Sequence, residues 1–142
     1  MNIKCIAAGI SVAVSFVAVG STPLVTEVTM SQPADSRRVT ITYKMDGAPA
    51  VVTLDVQTNR TGRATESDAD WVSIGGVAVC NAQGAVWRKV TEADKADGLY
   101  TITWRPDLSW PDHKIDNKSA RAVVTAWALD NTPDYMAVDV SS

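Results

Sequence analysis

A chain of 142 residues fits one domain, and 46% apolar against 20% charged residues excludes a chain that stays largely disordered. A net charge of −3, with no basic cluster larger than Arg37-Arg38, argues against nucleic acid as a partner. A domain of this size buries a working core without metal or disulfide staples.

The opening segment, MNIKCIAAGISVAVSFVAVGS, has the form of a secretory signal peptide. Lys4 supplies the positive start and Cys5 to Val19 the uncharged, largely apolar run. Ala18 and Gly20 are the small residues before a cleavage site after Gly20. The run is short against the roughly 20 apolar residues of a bilayer span, so export with cleavage is expected, and no membrane span afterwards. The expected division is 1–20 as signal peptide and 21–142 as one exported domain, secreted, periplasmic or at the cell surface. Cys80 is then the only cysteine, so no internal disulfide is expected. Its apolar setting, Val77-Ala78-Val79-Cys80, predicts a buried, inert thiol, with no lysine, arginine or histidine beside it to lower its pKa.

Short alternating runs rich in valine, isoleucine, threonine and aromatics follow, the period-two signal of strands. Val25 to Ser31 predicts the first, with Val28 and Met30 on one face. Val39 to Met45 is the clearest: Val39, Ile41, Tyr43 and Met45 share one face, Thr40, Thr42 and Lys44 the other. Asp46-Gly47 is a turn signal. Ala50 to Thr58 places Val52, Leu54 and Val56 opposite Thr53, Asp55 and Gln57. Asn59 to Asp70 reads as a polar loop, and Trp71 to Ile74 as a short strand broken by Gly75-Gly76. Thr91-Glu92-Ala93-Asp94 fits a capping box, hence one helical turn before Asp97-Gly98. Tyr100, Ile102 and Trp104 then alternate with Thr101 and Thr103.

Ser119 to Leu129 is apolar on both faces, with alanines on one side and Val123, Trp127 and Leu129 on the other. It reads as a strand covered on both sides. The β-branched Val123-Val124-Thr125 opposes a helix there. A turn at Asn131-Thr132-Pro133-Asp134 leads to a last strand, Tyr135 to Val140. About seven short strands separated by turns predict an all-β sandwich of the immunoglobulin or fibronectin type III kind. A closed barrel is the alternative. The cysteine pair of an antibody domain is missing.

His113 is the single histidine, and no strained nucleophile motif such as GxSxG accompanies it, so no catalytic residue is assigned. Asp107, Asp112, Asp116 and Asn117 do not follow the DxDxDG spacing of a calcium loop, Asp94 and Asp97 are equally unpatterned, and ligands for zinc are lacking. No metal and no cofactor is therefore expected. Aromatic faces for stacking on sugars are plentiful: Trp71, Trp87, Trp104, Trp110 and Trp127. Trp104 ends an alternating strand on its apolar side, which assigns it to the core. Trp110 precedes Pro111, so it is extended and folds back over the sandwich edge. Trp87 and Trp110 are the candidate ligand-binding residues, with simple packing as the rival role. The segment WRPDLSWPDHK, residues 104–114, reads as a structural connection. Asn59-Arg60-Thr61 and Asn117-Lys118-Ser119 are glycosylation sequons if the host modifies exported proteins.

The order of motifs carries a further signal. It comprises Val25-Thr26-Glu27-Val28, then Arg38-Val39-Thr40-Ile41-Thr42-Tyr43, then Ile102-Thr103-Trp104-Arg105-Pro106-Asp107 and Trp110-Pro111. It closes on Tyr135-Met136-Ala137-Val138-Asp139-Val140-Ser141-Ser142. This series resembles the N-terminal β-sandwich module of a group of secreted bacterial proteins. There the module precedes a formylglycine-generating-enzyme-like (sulfatase-modifying-factor) domain. The resemblance spans most of residues 24–142. It implies an accessory sandwich whose enzyme domain would follow the closing strand. That enzyme class oxidises a substrate cysteine with a copper-binding cysteine pair, or non-haem iron in related members. No residue of this chain is assigned to such a site. The function expected is a non-catalytic exported module that positions a neighbouring domain or binds a protein or cell-surface glycan. The alternatives are the N-terminal part of such an enzyme, and a carbohydrate-binding module using exposed tryptophans.

Overall fold

The computed structural model describes residues 22–59, 68–114 and 118–129. The expected signal peptide, the Tyr135–Val140 strand, Asp116 and Asn117 lie outside these residues. The elements in chain order are β1 (Leu24–Ser31), β2 (Val39–Asp46), β3 (Ala50–Asn59), β4 (Trp71–Ser73), α1 (Gly76–Val79), β5 (Gln83–Gly84), β6 (Arg88–Val90), β7 (Tyr100–Trp104), α2 (Pro106–Ser109) and β8 (Ala120–Ala128). The strands form two antiparallel sheets, as the all-β reading requires. One has the order β1-β2-β7-β5. In the other, β3 is central, β8 runs along one side, and β4 and β6 share the other side.

The alternation of β2, β3 and β7 builds the core. Ile41, Tyr43, Val52, Val56, Tyr100 and Ile102 are fully enclosed. Each large apolar side chain removed from water contributes roughly 1.5–3 kcal/mol. Tyr43 and Tyr100 are cross-strand partners whose rings stack at 5.2 Å. The Tyr43 hydroxyl donates to the Ala85 carbonyl at 2.7 Å, so its polar end is satisfied inside the core. Burial raises both phenols, and with help from Glu92 brings Tyr100 to about 12.

β1 holds a bulge. Glu27 takes a left-handed backbone, φ 52°, where the register with β2 shifts between Thr26 and Thr29. The extra residue lets Val25, Val28 and Met30 all pack on the core despite their mixed parity. Glu27 itself pairs with Lys44 on the outside at 2.7 Å.

The stretch between β4 and β7 was the least regular in the sequence, and α1, β5 and β6 had no counterpart in the strand reading. Cys80 is corrected here: it is exposed, not buried. The neighbouring Ala78 and Val79 are buried. A helical turn advances about 100° per residue, so Val77 and Cys80, three apart, share the outward side that an all-apolar run conceals.

β8 is corrected as well. Its outer face is not covered among the described residues: Thr125 is exposed and Trp127 and Leu129 are 47% and 40% exposed. The register explains which face turns in. Ala122, Val124 and Ala126 stand opposite Val56, Leu54 and Val52, and antiparallel partners share a face. Val124 and the alanines beside it therefore meet the core, and Trp127 faces outward.

The capping box is present as read. Thr91 accepts from Ala93, and the Asp94 carboxylate accepts from the Thr91 backbone at 2.8 Å. Arg88 grips the same carboxylate with two nitrogens, at 3.0 and 3.2 Å. The Arg88 bonds first, and the Thr91 amide second, hold Asp94 at about 2 rather than its ordinary 3.8. A carboxyl whose folded pKa is depressed stabilises the fold above its unfolded value, and that stability is lost as pH falls through the folded value. The domain is thus expected to lose stability between about pH 4 and pH 2. Asp94→Asn should flatten that part of the curve, read from urea midpoints at each pH.

Candidate functional site

The segment 104–114 is the connection its sequence announced. Trp104 is 3% exposed and its indole N–H donates to the Ala78 carbonyl at 2.8 Å. Pro106 opens α2, where its missing N–H costs nothing. Arg105 and Asp107 form a two-point ion pair at 2.7 and 2.6 Å. The Asn81 side chain donates to the Arg105 carbonyl, and the Ser109 hydroxyl to Ala78, so α2 is tied to the α1 region. Trp110 then folds back onto the core, with its ring stacked on His113 at 3.8 Å and 7°. Asp107 serves Arg105, Asp94 serves the cap, and Asp97 and Asp112 occupy left-handed turn positions. Among the described residues no group of three or more His, Cys, Asp or Glu side chains is assembled.

The two tryptophans picked from the sequence lie in different neighbourhoods. Trp87 has a left-handed backbone, φ 62°, and its amide donates to the Val52 carbonyl at the start of β6. The residue is 42% exposed. Trp110 belongs to the open end of the sandwich, where it lines a cleft of about 440 Å³ with Val56, Trp104 and His113. Sequon Asn59 is 6% exposed at the end of β3.

The outer face of the β3–β8 sheet carries a group that the tryptophan count alone did not single out. The Trp127 indole N–H donates to the Thr53 hydroxyl at 3.0 Å, across the strand pair. Four residues further along β3, Arg121 donates to the Gln57 side-chain oxygen at 2.8 Å. Gln57 donates to Asp55 at 3.3 Å, and Ser73 of β4 donates to the other Asp55 oxygen at 2.6 Å. The Gly75 amide in turn fixes Ser73 at 3.0 Å. At the far end the Arg121 guanidinium lies 4.6 Å from the centre of the Trp71 ring. The result is a strip with an indole at each end and a tied polar ladder between, about 13 Å long from Thr53 to Gln57 at the usual rise per strand residue. The missed signal was the register. Only the pairing of Val51 with Trp127 and of Gln57 with Arg121 brings these residues onto one surface.

The strip can present flat aromatic area and fixed hydrogen-bonding groups together, the usual make-up of a small-ligand surface. Comparison with known proteins adds no relative: no family model, no curated protein and no solved structure matches this chain.

Proposed function

We propose that this chain is a non-catalytic, exported β-sandwich module that binds a glycan on the outer face of the β3–β8 sheet. The observation that carries the reading is Trp127, half exposed on a sheet and pinned by Thr53 beside a pre-ordered polar ladder. A pinned ring loses little freedom on binding, which favours affinity. Sugar rings offer an apolar face to an indole and hydroxyls to the edge. Each Asp55 oxygen that already accepts one bond keeps a lone pair for a hydroxyl.

The immunoglobulin-type reading draws support from strand order. In that fold the first, second, fifth and fourth strands share one sheet, and the third and sixth pair in the other. Here β1, β2, β7 and β5 share one sheet, and β3 pairs with β8 in the other. On the sequence resemblance, such a module would stand before a formylglycine-generating-enzyme-like domain and hold it at a glycan-bearing surface.

Titration with a panel of neutral and acidic oligosaccharides, followed by tryptophan emission, tests the proposal. At least one should give a saturable shift, and Trp127→Ala should weaken it tenfold or more, about 1.4 kcal/mol. Trp87→Ala should change it little. No shift with any sugar, or full affinity in Trp127→Ala, would refute the assignment.

A further inference from the structure

The open end of the sandwich holds a second, independent feature. The cleft beside Trp110 is walled by Met30, Val39, Val56, Trp104 and Ala120, one residue from each of β1, β2, β3, β7 and β8. Val39, Val56 and Trp104 are themselves core residues, so the cleft continues the core rather than denting the surface. Its volume of about 440 Å³ falls among those of small-ligand sites, roughly 300–1,000 Å³.

The lining decides the charge of a ligand. No lysine, arginine, aspartate or glutamate lines the cleft among the described residues. A charged group entering it would lose hydration and meet no opposite charge, which is costly. A neutral ligand avoids that cost, and its apolar body gains by leaving water.

The hydrogen bonds already made decide its polar group. The Gln32 amide nitrogen donates to the Ser36 carbonyl at 2.6 Å, so Oε1, an acceptor, is the amide atom left over. His113 Nδ1 lies 2.7 Å from the Pro111 carbonyl and 3.2 Å from the Trp110 carbonyl. Carbonyl oxygens only accept, so Nδ1 carries a hydrogen and Nε2 of the neutral ring is a second acceptor. The ring is held flat on Trp110, so its position is fixed before any ligand arrives. The Trp104 indole N–H is taken by the Ala78 carbonyl. Gln32 and His113 thus call for a donor, while the Ser31 hydroxyl and the Trp110 indole N–H can donate in return. A hydroxyl group both donates and accepts, and so matches this mixture; a carboxylate only accepts.

We infer that the end cleft binds a neutral, apolar alcohol, its hydrocarbon body between Met30, Val56 and Trp104 and its hydroxyl donating to His113 Nε2. The inference does not rest on the glycan reading, which uses the opposite surface of β3 and β8.

Calorimetry with octan-1-ol, below its solubility limit, is the test. Saturable one-to-one binding is expected, with shifts of the Gln32 side-chain amide and the Trp110 indole in two-dimensional NMR spectra. Octyl methyl ether keeps the chain and the acceptor but has no donor, and it should bind about fivefold more weakly, of order 1 kcal/mol. Sodium octanoate should bind at least tenfold more weakly than the alcohol. His113→Phe keeps a ring for Trp110 and removes Nε2, so it should bring the alcohol down to the ether and leave the ether unchanged. Ala120→Phe should plug the cleft and lower affinity at least tenfold. Ser31→Phe fills the same space from an exposed position of β1 and replaces it if Ala120→Phe does not fold. Trp127→Ala should leave octan-1-ol binding intact, which separates this site from the sheet face. No saturable binding, binding indifferent to both cleft-filling variants, or octanoate bound as tightly as the alcohol overturns the inference. Equal affinity for alcohol and ether, or equal loss of both in His113→Phe, overturns the placement of the hydroxyl.

Discussion

Trp104→Ala is expected to destabilise the domain by about 3–5 kcal/mol, the range for large aromatic truncations in a core. Trp104 ends β7 with 3% of its surface exposed, and it meets the core from one side and the end cleft from the other. Its indole N–H also serves the Ala78 carbonyl at 2.8 Å, which links β7 to α1. Truncation therefore removes buried area, opens a void and cuts a tie between two segments far apart in sequence. The Ser109 hydroxyl still donates to Ala78, so that carbonyl is not orphaned. Trp104→Phe should accordingly cost less, about 1–2 kcal/mol, since most of the ring area stays. Urea midpoints with an unchanged slope would measure both. A wild-type midpoint for Trp104→Ala would contradict the core assignment.

Gly84→Ala is expected to cost about 2–4 kcal/mol, through strain rather than lost contact. Gly84 has φ 102°, a region that alanine avoids. A methyl group there would meet the Thr101 carbonyl oxygen at 2.5 Å, which is main chain and has nowhere to swing. Gly84 also pairs with Ile102, and its carbonyl accepts from Val86 and from Arg88. Relief of the clash must push β5 off β7 and disturb the Ala85 carbonyl that satisfies Tyr43. Gly98→Ala is the comparison. It has a similar backbone, φ 79°, with open space around it, so it should pay strain alone and lose about 1 kcal/mol.

The long strands were legible because their period-two pattern matches their burial. Val39, Ile41, Tyr43 and Met45 are all buried, while Lys44 is exposed and Thr40 and Thr42 are half-buried. Trp104 was legible for the same reason, and the Thr91–Asp94 cap because its chemistry is local. β5 and β6 were not, since two or three residues are too few for a period to show. Cys80 was misread because composition around it was apolar, and the geometry of one helical turn, not composition, decides which side faces water. β8 was misread as covered on both sides because both its faces are apolar in composition, whereas pairing with β3 turns Ala122, Val124 and Ala126 inward and leaves Trp127 half exposed. The strip on the outer sheet face was invisible for the deeper reason that both bonds joining β8 to β3 in it link residues far apart in sequence. Trp87 and Trp110 stood out as single residues, whereas Trp127 gains its meaning only from Thr53 on another strand.

That non-locality has a kinetic consequence. The bonds from Arg121 to Gln57 and from Trp127 to Thr53 join residues 64 and 74 apart. Closing loops of this length costs chain entropy before any contact repays it, so such pairings tend to form late. The β1–β2 hairpin, by contrast, needs only the first short turn after Ser31. The strip is therefore completed when β8 docks on β3, late in folding. A nascent chain that has not yet delivered β8 carries only the Asp55, Gln57 and Ser73 part of that surface, and the proposed glycan binding would report the completed sandwich rather than any earlier state.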